Sequence, residues 1–144
     1  MPLITQSDLG THLYPEVINE ITRSDNTIVG KAIDAALQEA KMYLSRYDLL
    51  QLFGNDTTDP TVQDEYLKNL VKDIACWHLI RLANVSIEYA AFRSAYEDAI
   101  DSLKSIMAGA ANPQGWPYYD ATTESTPKGD TINWSSNPRR VNHY

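Results

Sequence analysis

The side chains able to do chemistry in this chain are few and scattered. Three histidines stand far apart, at His12, His78 and His143. The single cysteine, Cys76, is two residues from His78. That spacing puts the pair on different sides of a helix, where a nucleophile and its base do not meet. One cysteine also makes no internal disulfide and no zinc site of the ordinary Cys/His kind. Its setting in an apolar run predicts a buried structural thiol, which fits a reducing compartment. Glu97, Asp98 and Asp101 form an acidic group on the outer side of a helix. Glu97 and Asp101 are four apart and repel, so they read as a solvated or subunit-facing surface rather than a metal site. Arg46 and Arg81 sit among aromatic and apolar positions. Each can snorkel to a helix end or pair across a subunit boundary. No glycine-rich phosphate loop and no His-Glu-x-x-His occurs, and no nucleophile has a base and an orienting group. The expectation is a protein that is not an enzyme and takes no cofactor and no metal.

Recognition chemistry is instead concentrated near the C-terminus. Residues 110–144 hold two of the three tryptophans, although they show no periodic apolar pattern. A plain linker would be poor in aromatics, and a tail of this length without regular structure is uncommon in a compact domain. The first cluster follows a turn at Asn112-Pro113-Gln114-Gly115 and contains Trp116, Pro117, Tyr118 and Tyr119. The second contains Ile132, Trp134, Arg139, Arg140 and Tyr144. These nine residues are the candidate partner-binding set. Aromatics supply much buried area per ordered side chain, and the two arginines can pair with acidic groups on a partner. Thr131 to Ser135 can add as a short strand to another sheet.

The elements carrying these residues read as all-α: three long helices, the last two an antiparallel hairpin, plus short N-terminal helices and an extended arm. Thr5 or Ser7 can cap a first helix with Leu9 and Leu13. Pro15 suits the first turn of a second, Glu16 to Thr22. After a break at Ser24-Asp25-Asn26, a long helix is predicted from Thr27 to Tyr47. Its stripe is Ile28, Ala32, Ile33, Ala36, Leu37, Ala40, Tyr43, Leu44 and Tyr47. Asp48 to Phe53 makes one more turn, stopped at Gly54. A second long helix covers Val62 to Ala83, with Leu67, Leu70, Val71, Ile74, Trp77, His78, Arg81 and Leu82 inward. Ser86 caps a third that ends at Met107, with Phe92, Ala95, Tyr96, Ala99, Ile100, Leu103, Ile106 and Met107 as its stripe. The short link between them makes a hairpin. Tyr43, Tyr47, Tyr89 and Tyr96 read as core edges. The organisation is a helical body over 1–109 and an arm over 110–144.

Composition supports one modest core: 43% of residues are hydrophobic and the net charge is −7. Lys128, Arg139 and Arg140 balance Asp120, Glu124 and Asp130 in the arm, so the body carries that charge. An acidic body argues against sequence-specific DNA binding, which needs a basic face. It is compatible with enclosing DNA, because an acidic lumen repels phosphates and lets a duplex slide. No apolar run approaches the roughly 18 residues that span a bilayer. The opening residues Met1 to Asp8 lack a basic region and an apolar region, so no secretion signal is expected.

Three segments in order resemble a known family. They are Ala32-Ile33-Asp34-Ala35-Ala36 continuing to Tyr43-Leu44-Ser45-Arg46-Tyr47, then Leu67 to Leu79, then Tyr96 to Lys104 closing at Gly109. Together with the opening Ile4-Thr5-Gln6-Ser7-Asp8-Leu9, they resemble the Mu-prophage-like head–tail connector proteins of tailed phages. Two features depart from the pattern. Relatives tend to have a proline soon after the Arg-Tyr pair, where this chain runs Asp48-Leu49-Leu50-Gln51-Leu52-Phe53. The tail is also long for the family. The resemblance implies a structural virion protein at the head–tail neck, assembled in the host bacterial cytoplasm. It implies self-association into a ring, usually of twelve, beneath the portal protein. Tail or stopper proteins dock on the ring, and double-stranded DNA passes through without specific binding. No membrane is involved. The arm would clamp the portal or a neighbouring subunit. Two other classes compete: a non-phage helical adaptor or antitoxin-like module that binds one target through its tail, and a small enzyme using the acidic face with a divalent cation.

Overall fold

The computed structural model describes residues 3–81 and 89–119, and the side chain of Tyr89 lies outside that description. The chain opens with a 3-10 helix, Gln6–Thr11, followed by α1 (Pro15–Thr22), α2 (Asn26–Tyr43), α3 (Leu49–Phe53), α4 (Glu65–Ile80) and α5 (Tyr89–Ala108). The described residues are all-α. They contain no strand, only an isolated antiparallel bridge between Tyr47 and Tyr118.

Helix starts follow capping chemistry. Thr5 and Asp8 form a capping box at the 3-10 helix. Pro15 occupies the first turn of α1. Asp25, Asp48 and Asp64 each accept a backbone N–H from the first turn of α2, α3 and α4. Gly54 ends α3 with φ +67°. A Cβ there would stand 2.6 Å from the Thr58 carbonyl oxygen, so the tight return of the chain requires glycine.

α4 is the central element, packed on α2 along one side and α5 along the other. Ala32, Ala36 and Ala40 line the buried face of α2 and allow α4 to approach closely. Trp77 stacks on Tyr96, and Tyr66 shares a groove with Ser102, Ser105 and Ile106, so α4 and α5 run antiparallel. Because α4 is covered on two sides, Ala75, Cys76, Leu79 and Ile80 are buried as well as the expected Leu67, Leu70, Val71 and Ile74. Trp77 and His78 are only partly buried and Arg81 is exposed, which corrects the expected inner face.

Three boundaries also differ from expectation. α2 stops at Tyr43 rather than Tyr47, because Leu44 to Asp48 leaves the helix to pair with 117–119. Leu44 and Tyr47 are buried all the same. α4 begins at Glu65 rather than Val62, since Asp64 is its cap and Val62 N–H donates back to Gln51 O. α5 runs to Ala108, and Met107 is 51% exposed rather than part of the stripe. The expected cap at Ser86, the position of Leu82 and the link between the two helices lie outside the described residues.

Candidate partner interface at the root of the arm

The residues 110–119 do not leave the body at Gly109; they pack back onto it. A turn with Gly115 at φ +80° swings the chain so that Trp116 enters the core, where it is 4% exposed. Its Nε1–H donates to Asp64 Oδ2 at 2.6 Å. The same carboxylate accepts Leu67 N–H through Oδ1 at 2.9 Å, so one side chain caps α4 and anchors the arm. The Trp116 ring meets Tyr47 edge-on, with centroids 5.5 Å apart. Tyr118 stacks on the same Tyr47 ring at 5.2 Å. Backbone bonds close the joint: Asp48 N–H donates to Pro117 O at 2.8 Å and Tyr119 N–H to Arg46 O at 2.9 Å.

Arg46 fastens this joint to α5. Its guanidinium lies over the Tyr47 ring, and Nη2–H donates to the Ile106 carbonyl at the helix C-terminus. Of the two readings for Arg46, the structure shows the helix-end contact, where a cation shares the Ile106 carbonyl with Gly109 N–H at the negative end of the dipole.

The candidate residues thus divide. Trp116 is buried in the core of its own chain, and the packing of residues 110–119 continues past Gly109 as far as Tyr119. Pro117 is tied through its carbonyl. Tyr118 keeps 61% of its surface exposed and is the outward face of the joint. Tyr119 is held by its backbone. Ile132, Trp134, Arg139, Arg140 and Tyr144 lie outside the described residues. The receiving residues Arg46, Asp48 and Asp64 were not in the candidate set. The two aspartates carry a cap signal before apolar helices, but nothing in the sequence marks them as partners of the arm.

A second polar junction sits between the long helices. Glu39 of α2 receives the Tyr96 hydroxyl of α5 at 2.6 Å, and His78 Nε2 of α4 lies 3.0 Å from its other oxygen. Burial and the bond to Glu39 push the Tyr96 phenol up to about 12. His78 therefore faces a carboxylate, not Cys76. The Cys76 thiol is pushed up to about 12, first by burial and then by Asp73, which makes it a poor nucleophile at neutral pH. His12 lies 3.4 Å from Asp73, whose carboxyl is raised by burial despite the pull of His12, with Asp98 adding to the rise. Among the described residues no three His, Cys, Asp or Glu side chains converge as metal ligands would.

A family model described as Bacteriophage Mu, Gp36 matches residues 4–129. The chain belongs to that phage family. No curated protein and no solved structure matches it. The Gp36 match runs from the opening 3-10 helix through the whole arm root, so the family unit includes the joint just described. This membership sets aside the non-phage adaptor. Among the described residues no helix is long and apolar enough to cross a membrane.

Proposed function

We propose that this Gp36-family chain is a head–tail connector subunit, a structural and non-catalytic virion protein that forms a ring below the portal. In this reading the ring extends the DNA channel at the neck and offers tail or stopper proteins a docking surface. The observation that carries the proposal is the arm root. Trp116, Tyr118 and Tyr47 fix the chain to the body at its last described residues, so everything after Tyr119 starts from a defined place. A fixed origin lowers the entropy lost when an arm engages a partner, and a ring repeats the contact enough times for modest affinities to act as one. Family membership, the helical body small enough to tile and the net charge of −7 support the same reading.

The test is negative-stain electron microscopy of the full chain mixed with the portal protein of the same phage. A ring seated on the narrow end of the portal is expected. A well-folded chain that leaves the portal bare and forms no ring would overturn the proposal. Truncation to remove the arm belongs after Tyr119, because a cut after Gly109 takes Trp116 out of the core. The chain ending at Tyr119 is expected to keep its helical circular dichroism and to lose portal attachment.

A further inference from the structure

The bridge at the arm root uses only one of its two edges. The bonds from Asp48 N–H to Pro117 O and from Tyr119 N–H to Arg46 O flank Tyr47 and Tyr118. That pattern makes the two tyrosines a non-hydrogen-bonded antiparallel pair, with side chains close together and their own N–H and C=O directed apart. Tyr47 donates its N–H to Leu44 O. Among the described residues the Tyr118 N–H and C=O have no partner, and the residue is 61% exposed. A donor and an acceptor side by side on a fixed extended segment are an open sheet edge, ready to pair with another chain.

We propose that this edge receives the arm of a second copy of the chain, through the segment Thr131-Ile132-Asn133-Trp134. The inference rests on the connector reading and supplies it with a subunit-to-subunit contact. The occupant has strand chemistry, with β-branched and aromatic residues in succession. Ile132 and Trp134 are two apart and share one face of a strand. Laid beside Tyr118, that face adds an aromatic cross-strand pair to the Tyr47–Tyr118 stack. Twelve residues separate Tyr119 from Ile132. Extended, they span about 40 Å, against a body about 35 Å across for a chain of this size. The arm therefore reaches an adjoining copy. Folding back on its own edge would need a twelve-residue hairpin loop, far longer than the two to five residues such loops favour. Charge agrees with the exchange, since Arg139 and Arg140 follow the segment and the body that receives it carries the net −7.

The test is analytical ultracentrifugation of the full chain and two variants. Tyr118→Pro removes the free N–H of the edge and keeps the arm. Ile132→Pro together with Trp134→Pro removes the arm N–H groups that face Tyr118 when Ile132 and Trp134 lie on its face of an antiparallel pair. Wild type is expected to associate with rising concentration, and each variant alone to need about tenfold more protein, the cost of roughly one lost backbone bond. Mixed one to one, the variants are expected to form dimers and stop, because only one complementary edge and arm remain. Wild type that stays monomeric over the accessible range, or the Ile132→Pro, Trp134→Pro chain that associates like wild type, would overturn the inference, even if Tyr118→Pro perturbs the joint. Sedimentation with the portal separates the two proposals. A chain that binds portal but never itself removes this inference alone. One that exchanges arms but ignores the portal removes the connector reading.

Discussion

The arm root and the Glu39–His78–Tyr96 junction each join three segments far apart in sequence, and they hold by different physics. At the arm root, one fully inserted indole and two tyrosine rings supply the area, and a few directed bonds set the geometry. Between the helices the contact is a carboxylate shared by a phenol and an imidazole, with the Glu39 and His78 side chains still about a fifth exposed to water. Burial of apolar area is nearly indifferent to pH, whereas a shared carboxylate depends on who holds the protons. The root is therefore held mainly by apolar area, whereas the interhelical junction is held chiefly by polar groups.

The sharpest break of that contrast is Trp116→Ala. Removing a buried tryptophan leaves a cavity and strips the Asp64 Oδ2 bond, at a cost of about 3–4 kcal/mol. Asp64 Oδ1 still caps α4, so the helix start is expected to survive. Urea unfolding should show the loss. Hydrogen exchange should quicken over residues 110–119 and leave the Glu39 neighbourhood protected. Uniform quickening across the body would mean that the two junctions are one cooperative unit.

The next largest effect is alkaline. The folded Tyr96 phenol is raised from 10.0 to about 12, by burial first and then by its bond to Glu39. A raised pKa means that the protonated form is favoured in the fold. Its stabilisation is complete below pH 10 and lost as pH climbs towards 12, by less than the shift alone would give because solvent screens the partly exposed phenol. Cys76 is raised as well and titrates in an overlapping window. The comparison is therefore wild type against Tyr96→Phe, which keeps the Trp77 stack and Cys76 but has no phenol to ionise. Thermal unfolding at stepped pH should show a shallower alkaline decline in the variant. Parallel curves would refute the role given to the phenol.

Much of the body was legible in the sequence because its rules are local. Asp25 before α2, Pro15 in α1 and the three- and four-residue spacing of Ala32, Ala36 and Ala40 act within a turn or two. α4 was read with one inner face because periodicity reports burial against one neighbour, and α4 has two. The arm root escapes the sequence for a related reason: Trp116 lies outside any period and fills a pocket of its own chain made by Tyr47 and Asp64, which are 69 and 52 positions away. No local pattern encodes which polar helix cap will receive an indole N–H. Glu39 is hidden in the same way, as one charge outside the apolar stripe of α2 until packing brings Tyr96 and His78 to it.

The smallest expected effect decides whether the joint is tied to α5 or only to the loop beside it. Arg46 touches α5 through the Ile106 carbonyl and lies over Tyr47, while its own carbonyl receives Tyr119 N–H. Arg46→Ala removes the first two contacts and keeps the third, because the third belongs to the backbone. The loss is expected to be about 1 kcal/mol, that of a partly solvated cation at a helix C-terminus. Arg46→Lys keeps the charge but lacks the planar fork that both bonds the carbonyl and covers the ring, so it should recover only part of the loss. Pairing Arg46→Ala with Trp116→Ala makes a double-mutant cycle across Tyr47. A coupling above about 0.5 kcal/mol means that the tyrosine ring transmits between the arm and α5. Strict additivity would instead leave the arm fastened to the 46–48 segment and to Asp64, with Arg46 as an independent cap of α5.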